Sequence, residues 1–522
     1  MKLLYKKYNL LTLLSILIYS SSFAQITPQW SSFYGGNFHI DYFSLDMITD
    51  KTGNTYVLGY EQDTLSNLKG VIIKYNTNGI QQWVSTYNDI GIVGKITIDS
   101  LSNVYVISRY LGDFITIKFD SNGSYEWHQL YNGSANQTDD ASEITIDDSL
   151  NVYVTGCSSE LSSNSHDITT IKYNNHGVQQ WVSHYHKGNN DTPNDIVFDN
   201  NQNIYITGFV IDSIMRCLVL KYDLNGNLIW SRIFNDGIFS NGQFIKYFNN
   251  SIIVGGTVRD SISNNDYLTL KYDTNSNLIW SSITNSQVNA APNDEPKDMV
   301  VDKNGNVFLT GTQFVGNSIN DDYFTIKLDS NGLLKWRKSY DGGVAFDDAF
   351  SLTLDDNGNV YVLGQSHDSF LQTVCLATLK YDSLGNLIWT AKYAPATHNV
   401  YVANTINLDS VGNVYVFGSV HNGNNPHLIT LKYGLPTSLS NNYNIKNTFT
   451  FYPNPNNGIF NIETSVFDNT NITVFNATGK LVIQEKLSQP FTTINLSKHS
   501  KGLYFLKVET PSETIIEKIV YQ

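Results

Sequence analysis

Charge is scarce in this chain of 522 residues, of which only 15% are Asp, Glu, Lys or Arg. What charge there is leans acidic, at a formal net -14. A chain without a basic face has little to neutralise phosphates with, which argues against nucleic acid as a partner. Cysteine is rarer still, with three residues: Cys157, Cys217 and Cys375. An odd number spread over separate stretches argues against a disulfide framework. These thiols are expected to be small buried apolar groups rather than metal ligands or nucleophiles. The one marked apolar run, near the start, falls far short of the ~20 residues that span a membrane, so no transmembrane segment is expected in the mature chain. Also lacking are a Gly-x-Ser-x-Gly elbow, a His-Glu-x-x-His helix and a phosphate loop. The common hydrolase, metalloprotease and nucleotide-binding signatures are therefore missing.

Aromatic residues, by contrast, are plentiful: Tyr 33, Phe 26 and Trp 8. That composition suits sheets better than helices. Residues 1–24 read as a secretory signal peptide. Lys2, Lys6 and Lys7 precede an apolar stretch at 10–19, and Ser22-Phe23-Ala24 offers small residues for cleavage.

The rest is organised around the phrase Lys221-Tyr222-Asp223-Leu224-Asn225-Gly226-Asn227-Leu228-Ile229-Trp230. Lys74, Lys118, Lys172, Lys271, Lys327 and Lys380 open further copies, each with a Trp nine residues later. Counting Trp30, the tryptophans recur at intervals of 44 to 56 residues, the size of a propeller blade. Between them a second phrase returns, as in Asp195-Ile196-Val197-Phe198-Asp199 followed by Asn203-Ile204-Tyr205-Ile206-Thr207-Gly208. Pairs such as Ile144/Ile146 and Leu352/Leu354 keep the period of two that strands require, and no stretch sustains a helical period. Each unit holds four strand-sized runs. The pattern predicts an all-β fold, an eight-bladed β-propeller with four antiparallel strands per blade; an open array of blades is the alternative. Lys432-Tyr433 lacks its Trp and Trp30 lacks its Lys. The N-terminal strand is therefore expected to join the last blade, closing the ring and removing its edges.

Local chemistry adds detail. Asn78-Gly79, Asn122-Gly123, Asn225-Gly226 and Asn331-Gly332 predict two-residue hairpin turns with positive φ. Such turns set each Lys across from its Trp, with a cation–π contact expected between them. The Asp before each turn is read as an Asx-type cap. Asp-x-Asn-Gly resembles the start of a calcium loop, but no acid follows at the closing position. Connections from first to second and third to fourth strand are expected to be tight. Those from second to third, and on to the next blade, are long and share one face, where binding usually resides.

Acids gather on that face: Asp139, Asp140 and Glu143; Asp191 and Asp195; Asp294, Glu295 and Asp298; Asp347 and Asp348. Asp46, Glu143, Asp195 and Asp298 share one position at the start of the innermost strand and are expected to ring the channel mouth. Asp46, Asp140, Glu143, Asp195, Glu295, Asp298 and Asp348 are the candidate binding residues, for a sugar or a cation. The structural alternative is a solvated rim that aids solubility. No cofactor is expected, although calcium would suit such oxygens. The histidines are scattered, and the pair His184-x-His186 reads as incidental rather than metal-binding.

Residues 30–433 resemble the bacterial β-propeller repeat family abbreviated SBBP, through Asp-x-x-Gly-Asn-Val-Tyr-Val-x-Gly and Lys-Tyr-Asp-x-x-Gly-x-x-x-Trp. The Gly-x-x-x-Trp element is shared with quinoprotein dehydrogenase propellers, where it is structural; no cofactor ligands accompany it here. After Tyr433 the rhythm stops. Residues 435–446 have linker composition, and 447–522 form a separate small β domain. That domain resembles the type A sorting domain of the type IX secretion system, through Tyr452-Pro453-Asn454-Pro455, Gly458, Gly479-Lys480, and Gly502 with Tyr504. The resemblance implies an immunoglobulin-like β-sandwich, type IX machinery as partner, a Bacteroidota source, and release or surface attachment.

Taken together, the sequence points to a secreted or cell-surface binding protein, expected as a monomer, with a polysaccharide or protein ligand. The alternatives are a carbohydrate-active enzyme with its site on the long-loop face, and a structural exoprotein of the envelope or biofilm matrix. Asp195 with Asp298 is the pair on which the enzymatic reading rests.

Overall fold

The computed structural model describes residues 26–521 except 36–40, 89–93, 161–164, 260–263, 287–292, 315–320, 344, 369–372, 395–398, 422–425, 435–448, 453–455, 457, 465–469, 488, 490 and 510–513. The signal peptide, the linker and Pro453, Asn454 and Pro455 lie outside the described residues. The chain divides into two compact units, Met1–Leu435 and Pro436–Gln522.

The larger unit is a succession of four-stranded antiparallel sheets at 41–88, 94–131, 140–185, 190–233, 239–284, 294–340 and 347–393, each with its strands in chain order. One parallel bridge, His166 to Asn190, links two of them. The last sheet draws on both ends of the unit. Asn399–Leu408, Val414–His421 and Pro426–Tyr433 supply three strands, and Trp30–Tyr34 supplies the fourth. Trp30 lies opposite Lys432, the register that Lys118 keeps with Trp127. The broken copy in the sequence is thus one blade shared between the two ends. First and last blades also pack together, through Val57, Val71 and Ile73 on one side and Tyr415, Phe417 and Leu428 on the other. This is β-propeller architecture.

Burial follows strand rank. Second and third strands such as Val104–Tyr110 and Asp113–Phe119 are covered on both faces, whereas the fourth, Tyr125–Tyr131, is half exposed. Core clusters run from blade to blade: Tyr56, Leu58 and Ile72 meet Ile96, Val104 and Ile117. Strands covered on both faces need continuous apolar runs, which is why these phrases read Val-Tyr-Val rather than alternating.

The turns between third and fourth strands differ from the expected two-residue form. Gly79, Gly123, Gly226 and Gly332 have φ of 75°, 82°, 81° and 80°, but the preceding Asn residues do not share it. Asp120 O accepts the Gly123 N–H at 2.9 Å, and the Asp120 N–H reaches Ser124 O at 2.8 Å. The result is a type I turn closed by a left-handed glycine, with its extra residue absorbed as a bulge after Lys118. A Cβ on Gly123 would also lie 2.6 Å from the Trp83 ring of the preceding blade. Every such indole except that of Trp389 therefore docks on the next blade's turn.

Lysine behaves differently from expectation too. Lys118 does pair with Trp127, but its ammonium sits over Tyr105, 5.4 Å from the ring centroid. It then donates to Asn175 O of the next blade at 3.2 Å, the carbonyl that also takes Trp127 Nε1–H at 3.1 Å. Lys221 and Trp230 share Thr274 O in the same way, as Lys327 and Trp336 share Ser383 O. A buried ammonium needs an acceptor more than it needs a ring face. Trp389 has no such turn ahead of it, and its buried Nε1 is left without a partner.

In the smaller unit, sheets of three and four strands share one core, including Phe460, Ile462, Ile472, Val474, Leu506 and Val508. Tyr452 ends its first strand opposite Asn461. Gly458, with φ of 101°, donates its N–H to Asn456 Oδ1. Asn476 caps the turn at Gly479 by accepting the N–H of Thr478 and of Lys480. Gly502 opens the strand that carries Tyr504, whose ring is buried and whose hydroxyl donates to Ser500 O.

Candidate functional site

The acidic positions divide into groups with different geometry. The innermost strand is bulged at one recurrent place, between Ser44 and Asp46, Ala141 and Glu143, Pro193 and Asp195, and Pro296 and Asp298. The glycine of the second strand permits this close approach. A Cβ on Gly208 would lie 2.0 Å from Thr192 O, and one on Gly311 2.0 Å from Glu295 O. The bulge turns the acid just after it toward the next blade. Asp195 Oδ1 accepts the Ile196 N–H at 2.8 Å, while Oδ2 accepts the Ile245 N–H at 2.8 Å and Lys246 Nζ–H at 3.2 Å. Asp298 repeats this with Met299, Leu352 and the Ser351 hydroxyl. Asp46 does so with Met47 and Ile96.

Glu143 is the exception in this inner ring. It accepts the Ile144 N–H at 3.1 Å and lies 3.9 Å from Lys95 Nζ. Burial pushes its carboxyl up to about 7 against the pull of Lys95, with Asp195 and Asp46 adding to the rise. Burial likewise raises Asp298. Asp46 and Glu143 hold Lys95 above its ordinary value. Burial pulls Lys246 down, but Asp195 and Asp298 outweigh it. The structure thus brings Asp46, Glu143, Asp195 and Asp298 within electrostatic reach of one another, and three of them mainly tie neighbouring blades.

Asp140, Glu295 and Asp348 stand apart from that ring. Asp140 pairs with Arg109 at 2.9 Å. Glu295 meets Lys297 at 3.0 Å, and Asp348 accepts the Thr312 hydroxyl at 2.9 Å. Both also act on Asp321, whose carboxyl is raised first by burial, then by Asp348 and Glu295. Three candidate-face acids therefore converge where the blade at 294–340 meets that at 347–393.

Deeper at the same end, pairs of buried or half-buried acids span successive blades, a feature the sequence reading missed. Asp113 acts on Asp139, Asp167 on Asp191, Asp266 on Asp294, and Asp347 on Asp322. One oxygen of each inner-strand Asp fastens the incoming loop: Asp139 accepts the Gly133 N–H at 2.6 Å, Asp294 that of Ser286 at 2.7 Å and Asp347 that of Gly342 at 2.7 Å. Burial raises Asp113, Asp139, Asp191, Asp294, Asp322 and Asp347, of which Asp294 and Asp322 reach about 6. The signal was present as a column, since each pair joins the start of a third strand to the start of the next blade.

The opposite face carries the Asx turns. Asp355 Oδ1 accepts the N–H of Asn357 and Asn359, and Oδ2 accepts Asn359 Nδ2–H at 2.7 Å. The same set recurs at Asp50, Asp199, Asp302 and Asp409, and Asp120, Asp223 and Asp329 before the Asn-Gly turns likewise accept the N–H groups two and four residues on, so the cap reading holds. A depression lined by Asp50, Lys51, Asp355, Asp356 and Asp409 opens there. The loop lengths agree only in part. Tyr110 to Asp113 is a tight hairpin through Leu111 and Gly112, although it joins second to third strand. Most of the longer connections include residues outside those described.

The histidine pair diverges. His184 Nδ1 lies 3.0 Å from the Thr169 hydroxyl, whereas His186 Nδ1 lies 2.9 Å from Asp167 Oδ1. The three cysteines are free, and burial pushes their thiols up, Cys157 to about 11 and Cys217 and Cys375 to about 12. They are inert at neutral pH.

Comparison with known proteins bears on both units. Residues 450–522 match the secretion system C-terminal sorting domain, and residues 186–208 match the beta-propeller repeat. The chain carries a β-propeller repeat and a secretion sorting domain. The sorting domain indicates export by the type IX secretion system, to the cell surface or the medium, and implies contact with that machinery. A search of curated protein sequences finds no match. Among solved structures, the polysaccharide lyase Uly1 is 9% identical over 78% of this chain and 100% of its own, with a TM-score of 0.45. A polysaccharide lyase of family PL25, an ulvan lyase bound to -[GlcA(1-4)Rha3S]-, is 10% identical over 76% and 95%, with a TM-score of 0.38. Sqt1 from Chaetomium thermophilum is 8% identical over 77% and 100%, at 0.45. At such scores these likenesses assign no activity. Among the described residues no helix is long and apolar enough to cross a membrane.

Proposed function

We propose that the chain is an exported binding protein. Its signal peptide directs it to the periplasm, its immunoglobulin-like sorting domain at 447–522 carries it across the outer membrane, and an eight-bladed propeller presents the loop face to a polysaccharide or protein ligand. The observation that carries this reading is the division of labour among the carboxylates. Asp46, Asp195 and Asp298 accept backbone N–H groups of the next blade, which supports a structural role for them. Glu295, Asp321 and Asp348 gather at one blade junction with solvent access. An acidic surface of this kind suits a neutral or cationic ligand, or one bridged by a cation.

The test is a thermal-shift and immobilised-ligand screen of the full chain against bacterial, plant and algal polysaccharides and against surface proteins. Saturable binding that Glu295→Gln with Asp348→Asn weakens, at unchanged melting temperature, supports the reading. Absence of any saturable ligand favours the structural exoprotein.

A second reading has one observation in its favour. Glu143, raised to about 7 beside Asp195 and Asp46, has the protonation behaviour of a general acid in a carbohydrate-active enzyme. Glu143→Gln is the clean probe of that chemistry. The pair Asp195 and Asp298 is not, because replacing them loosens two blade junctions. Turnover of a glycan that survives Glu143→Gln removes this reading.

A further inference from the structure

The blade junctions on the loop face differ in what stands five residues after the docking Trp. That place is Asn88, Asn132, Asn235 and Asn285 at four junctions, His186 at a fifth and Asp341 at a sixth. Where His186 occupies it, the ring nitrogen lies 2.9 Å from Asp167 and acts against the rise that burial imposes on the neighbouring Asp191. At the junction of 190–233 with 239–284 the problem does not arise, since Ser240 replaces the inner Asp and takes the Cys217 N–H at 3.0 Å. At the junction of 294–340 with 347–393, however, the third group is another acid. One oxygen each from Asp322, Asp341 and Asp347 lies within 4.8 Å of the others.

These carboxylates are incompletely used. Asp347 is fully buried and Asp322 is 8% exposed. Asp347 spends Oδ2 on the Gly342 N–H, and Asp322 spends Oδ2 on Gln313 Nε2–H at 3.1 Å. Asp322 Oδ1 accepts no hydrogen bond, and beside Asp347 Oδ1 stands only the buried Ser366 hydroxyl, which acts to lower that carboxyl without offsetting its burial. Exposed Asp341 accepts the Gly343 N–H at 2.9 Å. The Lys392 ammonium, whose charge acts to lower Asp347, is itself engaged by Asp368 Oδ2 at 2.9 Å and Gly342 O at 3.2 Å. A buried Asp322 oxygen without a donor, beside two further carboxylates, is an unfavourable arrangement that a positive charge among them would relieve.

We propose that Asp322, Asp341 and Asp347 form a divalent-cation site, with calcium as the occupant, clamping these two blades at the loop face. The donors are all hard oxygens, with no thiol or imidazole, which favours calcium over zinc. Oxygens on opposite sides of a calcium ion stand about 4.6–5.2 Å apart, twice its usual ligand distance, and the trio fits within such a shell. Asp341 faces solvent, so it offers the entry path and leaves room for water ligands. This site stands whether or not the face also binds a macromolecule.

The experiment uses the full chain, stripped with chelator and then titrated with calcium, followed by melting temperature and by terbium luminescence. Tyr340 and Tyr323, with ring centroids 5.3 Å apart, adjoin Asp341 and Asp322 and are placed to sensitise bound terbium. The diagnostic variant is Asp341→Asn, which installs the residue that already stands at four equivalent places and should fold. The wild type is expected to gain melting temperature with calcium and to give terbium emission that calcium displaces. Asp341→Asn is expected to bind about tenfold or more weakly, while melting in chelator no lower than wild type. Asp322→Asn should behave alike. A wild type indifferent to calcium, a calcium response unchanged in Asp341→Asn, or a response to protons alone near pH 6 would each overturn the proposal.

Discussion

The two faces of the propeller use the same residue for opposite ends. On the tight-turn face, Asp50 and Asp355 are held below the ordinary carboxylate range: burial acts to raise them, but hydrogen bonds from Asn54 and Thr52, and from Asn359, outweigh it. On the loop face, Asp294, Asp322 and Asp347 are raised by burial that too few donors offset. The sign of the shift therefore reports whether donors outweigh burial at each acid, and even raised acids such as Asp298 and Asp294 hold backbone N–H groups. Strained, under-satisfied groups are where function is to be sought.

The comparison can be broken most forcefully at the turn face. Trp280 donates to Ser330 O at 3.1 Å and presses on Gly332 of the next blade. Trp280→Ala should lower stability by about 3–5 kcal/mol in denaturant titration, whereas Asp348→Ala on the loop face should leave it near wild type. Two carboxylate substitutions sharpen the contrast by their opposite signs. Asp302→Ala removes the acceptor of Asn304 N–H, Asn306 N–H and Asn306 Nδ2–H. It should cost about 1–2 kcal/mol at pH 8. Asp294→Asn keeps an acceptor for Ser286 while removing a buried charge, and should raise stability by on the order of 1 kcal/mol at the same pH. The smallest effect separates the docked indoles from the undocked one. Trp230→Phe strands the Thr274 turn and should cost about 1 kcal/mol more than Trp389→Phe, whose N–H has no acceptor to lose.

Much of this was legible in the sequence because it is local. The Lys-to-Trp spacing sets a hairpin register, and the separated Lys432 and Trp30 announced the shared blade. Contacts between blades were not legible. Nothing in the spacing of Lys118 and Trp127 says that both will seek Asn175 O, 57 and 48 residues away. Nor could the run at Asp195 show that a bulge would turn its carboxylate onto Ile245. The expected calcium resemblance lay in the Asp-x-Asn-Gly turns, where the oxygens prove to be occupied. The under-satisfied trio needed Asp322 from one strand, Asp341 from a loop and Asp347 from the next blade. Only the column five residues after each Trp hinted at it.

The central claim is that loop-face acids are folded at the expense of their charge. Asp294 and Asp322 rise from 3.8 to about 6, so between about pH 4 and 6 the folded state holds more protons than the unfolded state. Their contribution to stability is full below that window and is lost as pH rises through it. The direct measurement is the melting temperature of the wild type and of Asp294→Asn with Asp322→Asn, both in chelator, from pH 4.5 to 8. The account predicts that the variant's advantage over wild type grows steadily up to about pH 7 and then levels. An advantage that is flat or shrinks with rising pH would contradict it.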